Sequence, residues 1–432
     1  MILNLIRSAG LLTMALVHAG LTGSTARAEE TLRFDFGPGP VATGHVKVTP
    51  STVYTKERGF GFEPGSKVVG VDRGGSDPLR DDYCTSDQPF LFSATVPEGN
   101  YEVKLILGDR SGESVTTVKS ESRRLMIKGL RTSPGQFAEP TFLVNVRTPA
   151  ISTGGSVKLK AREADVLHWD GKLTLEFNDA HPCVGGVEIR RVENALTVYL
   201  TGDSTVADQP REPWNSWGQM LPRFFGPGVV VANHAESGES LRSFQAGHRL
   251  DKILSTIRPG DYLLIQFGHN DQKERGAGVG AFTTYKDSLK RYVAEARKRG
   301  AWPVLVTPVS RRAFGPDGRV VNNLGDYPEA VRQVAREEQV PLIDLNALSK
   351  PFYEALGVEG SKKAFVDNTH HNNYGSYELA RCVVEGIRSA NLDLAKFLDP
   401  TLPPFDPSKP DPVDRFRLPP SPQVSKTVPE GS

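Results

Sequence analysis

Leu-Thr-Val-Tyr-Leu-Thr-Gly-Asp-Ser-Thr, residues 196–205, decides the fold. Residues 197–200 are β-branched, aromatic and apolar, as in a strand buried on both faces, and they run straight into a Gly-Asp-Ser turn. Such a turn presents Ser204 at the mouth of a sheet. A serine hydroxyl is a poor nucleophile until a base takes its proton, so this reading requires a histidine, a carboxylate to orient it and donors for an oxyanion elsewhere in the chain.

Downstream, apolar strands alternate with amphipathic helices. Strands are expected at 229–232, 261–267, 304–307 and 342–345. Leu250, Ile253, Leu254 and Ile257 follow helical spacing up to the Pro259-Gly260 stop. Tyr285, Leu289, Tyr292, Val293 and Ala296 mark a second helix, residues 328–338 a third, and Leu379, Val383 and Ile387 a last one starting near Tyr374. Five apolar strands separated by helices predict an α/β fold: a five-stranded parallel sheet covered on both faces, whose functional groups gather at the carboxyl ends of the strands.

Four polar segments stand where those strands end or the last helix begins: Gly202-Asp203-Ser204, Asn233 to Gly238, Gly268-His269-Asn270-Asp271 and Asp367-Asn368-Thr369-His370. Each alone has a structural explanation, as a turn, a positive-φ glycine or a helix cap. Together they suffice for acyl transfer. Ser204 is the expected nucleophile, His370 its base and Asp367 the carboxylate that holds the imidazole. The backbone N–H groups of Ser204 and Gly238 and the side-chain amide of Asn270 are the oxyanion donors.

These segments resemble the four sequence blocks of the SGNH (GDSL-like) hydrolase superfamily. The wording Gly-Asp-Ser-Thr-Val-Ala-Asp at 202–208, Gly-His-Asn-Asp-Gln-Lys at 268–273, Thr-Pro-Val-Ser-Arg-Arg at 307–312 and Asp-Asn-Thr-His at 367–370 is similar to the rhamnogalacturonan acetylesterases within it. The resemblance spans roughly residues 196–394. It implies a three-layer α/β/α fold of the flavodoxin-like type, the same triad and oxyanion hole, no metal and no cofactor. His371 and Ser376 stand where an apolar or aromatic residue and an alanine are expected.

Ahead of this region, residues 32–192 show the two-residue period of short strands. Tyr101, Val103, Leu105 and Leu107 alternate with Glu102 and Lys104, and Leu173, Leu175 and Phe177 with Thr174 and Glu176. Turns such as Pro97-Glu98-Gly99-Asn100 separate them. This predicts an all-β sandwich or jelly roll. It resembles the galactose-binding-like modules of polysaccharide esterases, with Phe34-Asp35-Phe36-Gly37 as the best local match.

The expected organisation is therefore a signal peptide at 1–28, a β-sandwich at 29–194, a hydrolase domain at 195–397 and a proline-rich tail at 398–432. The first segment carries Arg7, an apolar run and Ala26-Arg27-Ala28, so cleavage is expected before Glu29 and the protein is expected to be secreted or periplasmic. The apolar run is too short to span a membrane. The tail, with Pro403-Pro404 and Pro419-Pro420, forms either an extended surface arm or a disordered one. Of the three cysteines, Cys84 and Cys183 are the pair expected to oxidise, and Cys382 is read as a small buried residue.

With 52 Lys+Arg against 51 Asp+Glu in 432 residues, and no basic cluster, nucleic acid is not an expected partner. His168 and His181 lack metal-ligand spacing. Trp214 and Trp217 either line a sugar cleft or belong to the core. Arg311 and Arg312 either meet the carboxylates of a pectic substrate or form surface ion pairs, and His371 joins them as a substrate contact. The expected substrate is an acetylated plant cell-wall polysaccharide, most readily rhamnogalacturonan. The alternatives are an acetylxylan esterase of the same fold and a carbohydrate-binding protein whose α/β half is inactive.

Overall fold

The structure is a computed structural model and describes residues 31–164, 166–423 and 429. The expected signal peptide and its cleavage point lie outside the described residues. Among the described residues no helix is long and apolar enough to cross a membrane.

The front unit is a β-sandwich. Its five-stranded antiparallel sheet runs Phe60–Phe62, Phe90–Thr95, Lys172–Asn178, Ser114–Ser120, Arg124–Thr132 in spatial order. The facing eight-stranded sheet contains Leu32–Phe36, Gly99–Gly108, Thr141–Val146 and Val184–Arg191. Between them lies a phenylalanine-rich core of Phe34, Phe36, Phe62, Phe90, Phe92 and Phe177. Tyr101, Val103, Leu105 and Leu107 point into it, as their spacing predicted.

One expectation fails here. Cys84 and Cys183 are free thiols. In the antiparallel ladder Cys84 sits opposite Val184, not Cys183, so the two-residue alternation sends the thiols to different surroundings. Cys84 approaches the Val48 carbonyl, and Cys183 that of His181. Thr174 and Glu176, on the other face of their strand from Leu173, Leu175 and Phe177, are buried as well. The proline-rich tail covers that face: buried Lys119 pairs with Glu176 at 3.1 Å and donates to the Pro419 carbonyl at 2.8 Å, and Asn178 donates to Pro420. Through residue 423 the tail is therefore an extended arm. It also lays Phe416 on Tyr374 and Tyr377 and takes a hydrogen bond from the Tyr374 hydroxyl at Asp411.

The second unit is a three-layer α/β/α fold. Its strands are β1 (Leu196–Gly202), β2 (Val229–Asn233), β3 (Tyr262–Gln266), β4 (Trp302–Val306) and β5 (Leu342–Ile343), all parallel in the order β2-β1-β3-β4-β5. Its helices are α1 (Trp217–Met220), α2 (Leu241–Ala246), α3 (Arg249–Leu254), α4 (Lys286–Lys298), α5 (Tyr327–Glu338), α6 (Leu345–Gly360) and α7 (Asn373–Ser389). Alternation along the strands sorts the two faces. Tyr199, Leu263, Ile265 and Leu305 meet α2 to α5, whereas Val198, Leu200, Leu264 and Val306 meet α1, α6 and α7. Helix α6 was not anticipated: the run read as strand through Leu345 stops at Ile343, because the Asp344 carboxylate caps a helix by accepting from Ala347.

The units are interlocked. Leu143 and Val192 of the sandwich pack on Ala195 and Val230, which covers the exposed edge of β2.

Candidate active site

Chain order reverses direction in the sheet between β1 and β3, and crevices at such switch points open beyond the strands' carboxyl ends. Ser204 stands there, two residues past the end of β1. The turn demands glycine at 202, since a Cβ would fall 2.5 Å from Val206 and 2.8 Å from the Gln266 carbonyl.

His370 arrives from the loop before α7, a helix capped by Asn372. Its Nε2 lies 2.8 Å from Ser204 Oγ, and its Nδ1 lies 2.7 Å from Asp367 Oδ2. Nδ1 faces a carboxylate and so carries the proton, which leaves Nε2 to accept from the serine hydroxyl. Asp367 Oδ1 accepts the backbone N–H groups of Thr369 at 2.6 Å and His370 at 2.7 Å. Partial burial pushes this carboxyl up, but the His370 ring and those two amides outweigh it and hold Asp367 at about 2. It is therefore an anion throughout the neutral range. Ser204 and His370 are each only 3 % exposed.

The expected oxyanion donors stand on three loops, those that follow β1, β2 and β3. Gly238 has φ 79°, open to glycine at little strain. Among the described residues the backbone N–H groups of Ser204 and Gly238 donate to no other group. The Asn270 amide donates to the Glu239 carbonyl at 3.0 Å while its oxygen accepts from Lys273, which ties the third block to the second.

Of the groups expected to touch substrate, the structure corrects two. Trp217 is 1 % exposed and donates to Gln266 Oε1 at 2.9 Å, as part of the core beside α7. His371 is likewise 1 % exposed, bonded at 2.8 Å to the Tyr353 hydroxyl with its ring against Phe365; burial drives its pKa down to about 3. Helical and loop geometry turned both inward. Trp214 is half-buried with the Arg211 guanidinium over its ring. Arg311 donates to the His269 carbonyl at 3.4 Å, and Arg312 donates to the Asn368 side chain at 2.7 Å inside the loop that carries Asp367 and His370.

Several supporting residues were not legible beforehand. Buried Asp203 holds His269 Nδ1 at 3.1 Å and caps its own turn through Thr205, and His269 Nε2 faces the Val309 carbonyl. Asp271 accepts from Gly268 at 2.9 Å and Leu241 at 3.0 Å, fixing the third loop. Gln209 donates to the Ser204 carbonyl at 2.7 Å and to Ser237 Oγ at 3.2 Å, linking the nucleophile turn to the Gly238 loop. Asp203 and Asp271 lie inside the polar blocks, but one partner of each, His269 and Leu241, is far away in sequence. Gln209 has no local signal at all.

Comparison with known proteins finds relatives of both units. Residues 200–376 match the GDSL-like lipase/acylhydrolase family, and residues 32–126 match the galactose-binding domain-like family of β-agarase and YXIM esterase-like proteins. Rhamnogalacturonan acetylesterase RhgT of Bacillus subtilis (strain 168) is 43% identical over 224 residues, which is 48% of this chain and 96% of that protein. Probable rhamnogalacturonan acetylesterase YesY of the same organism is 38% identical over 46% of this chain and 95% of its own length. The uncharacterized esterase YxiM, also from that strain, is 29% identical over 87% of this chain and 95% of its own length, so it shares both units. The chain therefore belongs to the GDSL-like lipase/acylhydrolase family, as a carboxylic-ester hydrolase with a galactose-binding-like domain in front.

Proposed function

We propose that the protein is a secreted esterase that removes O-acetyl groups from plant cell-wall polysaccharide, rhamnogalacturonan above all, through an acetyl-enzyme on Ser204. The observation that carries this reading is the continuous line from Ser204 Oγ through His370 to Asp367, at 2.8 and 2.7 Å. Rhamnogalacturonan as substrate is supported by the names of two relatives that the chain covers almost completely.

Ser204 Oγ attacks the acetyl carbonyl as His370 Nε2 takes its proton, and Asp367 stabilises the imidazolium that forms. The negative charge on the former carbonyl oxygen accepts from the N–H groups of Ser204 and Gly238 and from the Asn270 amide. Collapse breaks the bond to the sugar oxygen, which leaves with the proton from His370. A water molecule, deprotonated by the same imidazole, then attacks the acetyl carbonyl, and acetate departs as Ser204 regains its proton. Trp214 and Arg311 are the rim groups that remain available to a polymer. Export through the expected signal at residues 1–28 suits a substrate too large to enter a cell.

The test is acetate release from acetylated rhamnogalacturonan and acetylated xylan by the wild type and by Ser204→Ala, with folding of both checked by circular dichroism. The expected outcome is preference for rhamnogalacturonan and a loss of at least about 10³-fold in Ser204→Ala. Equal release by the two proteins would refute the esterase site; faster release from xylan would refute the substrate.

A further inference from the structure

The front unit brings two cations to one peptide group of the Gly238 loop. Residues 158–164 leave the sandwich between the strands Thr141–Val146 and Lys172–Asn178 and lie against the Glu236–Ser240 loop. Lys160 Nζ donates to the Ser237 carbonyl oxygen at 2.6 Å and pairs with Glu239 at 2.7 Å. Arg162 Nη2 donates to that same carbonyl, and its Nε lies 2.8 Å from Glu236 Oε1.

The approach is braced from behind. Buried Glu163 accepts the Lys160 backbone N–H at 2.8 Å and the Trp169 indole at 3.1 Å, and its carboxylate pairs with buried Arg249. Burial and the Glu163 charge beside it raise the pKa of Glu236, against the pull of Arg249, Arg162 and Lys160.

The Ser237 carbonyl belongs to the same planar unit as the Gly238 N–H. In a trans peptide the two point in opposite directions, so cations on the oxygen leave the N–H clear on the other side. A cation bonded to an amide oxygen draws electron density through the conjugated unit and makes the N–H a stronger donor, as in any polarised hydrogen-bond chain.

We propose that Lys160 and Arg162 of the galactose-binding-like unit are positioning residues of the esterase: they polarise and orient the 237–238 peptide so that its N–H serves the oxyanion. This rests on the assignment of Ser204 and Gly238 made above. On this reading the front unit supplies part of the electrostatics of ester cleavage, beyond any hold it has on polymer. The benefit appears where charge develops, in the transition state, so it belongs to kcat and not to KM. An oxyanion donor is worth about 10²–10³ in kcat, and a polarising partner strengthens a hydrogen bond by roughly 10–30%. Together these give roughly two- to eightfold for each cation.

The experiment uses the full chain with p-nitrophenyl acetate as substrate and phenylboronic acid as a probe that becomes an anionic tetrahedral adduct on Ser204. Lys160→Met, Arg162→Met and the double variant are compared with Lys160→Arg and Arg162→Lys, and thermal melting is recorded for each. Lys160→Met combined with Glu239→Gln removes a cation together with its paired carboxylate. The expected result is a stepwise fall in kcat with KM unchanged, a parallel weakening of boronate binding, and recovery in the conservative variants. The inference is overturned if kcat and boronate affinity hold within about 1.5-fold of wild type while only melting shifts, or if KM rises in place of the fall in kcat. Ser204→Ala separates the two readings: activity surviving there sinks the site itself, whereas an inactive Ser204→Ala beside fully active lysine and arginine variants sinks only this inference.

Discussion

Replacing Arg124 by methionine tests whether the sandwich and the hydrolase form one cooperative structure. Arg124 sits at the tip of a sandwich hairpin, 1 % exposed, with Nε 2.6 Å from Asp208 Oδ2 and Nη1 donating to the Asn145 carbonyl at 2.9 Å. Asp208 is also buried and otherwise receives the Asn233 amide at 2.8 Å. Methionine fills much of the same volume but leaves the Asp208 charge in a dry interface with a single neutral donor. Breaking a buried pair in this way costs about 3–5 kcal/mol. At about 2 °C per kcal/mol, the lower end for domains of ~200 residues, melting should fall by about 6–10 °C in one transition. Adding Asp208→Asn removes the stranded charge and keeps an acceptor for Asn233, so the double variant should recover at least half of the loss. Scanning calorimetry at neutral pH measures both. A single variant melting within about 2 °C of wild type, or a double variant no better than the single, would refute the claim that this pair welds the units together.

Asn270→Ala should lower kcat by about 10²–10³ with KM nearly constant; a loss under about threefold in steady-state assays would remove its amide from the oxyanion site. Glu378 supplies a pH signature. Burial pushes its pKa up to about 7 despite Arg381 beside it, above an unfolded value near ~4.5, so the folded protein binds this proton more tightly. The associated stability is complete below about pH 4.5 and is lost as pH rises through 7. Glu378→Gln cannot release the proton, so its melting temperature should gain on wild type between pH 5 and pH 8, by the equivalent of at most about 3 kcal/mol; parallel curves would show that Glu378 is not the group responsible.

How much of this protein was legible beforehand follows from the range of each interaction. Strands β1 to β4 are apolar runs set between turn residues, and burial on both faces of a parallel sheet is a local requirement that each run states by itself. Ser204, Asp367 and His370, whose side chains the structure brings together, were legible because each stands in a polar segment just after a strand or just before a helix. Trp217 and His371 misled for the complementary reason: an aromatic near a catalytic block reads the same whether it faces a cleft or the core, and only packing against Gln266 and Tyr353 settles it. Helix α6 was hidden by Pro351 and Gly357 within it and by an apolar start that continues the strand before it.

What composition, period and spacing determined here is the class of chemistry and the layered architecture, since hydrophobic period and turn chemistry act over a few residues. Tertiary structure alone decided which groups support that chemistry. The tail that buries Glu176, the arginine that neutralises Asp208, and the two cations that meet the Ser237 carbonyl from more than 70 positions earlier are pairings across the chain. A charged side chain carries no mark of its partner, because Coulomb attraction and hydrogen bonding depend on distance in space, and that distance exists only once the sheets of both units have formed and the units have docked.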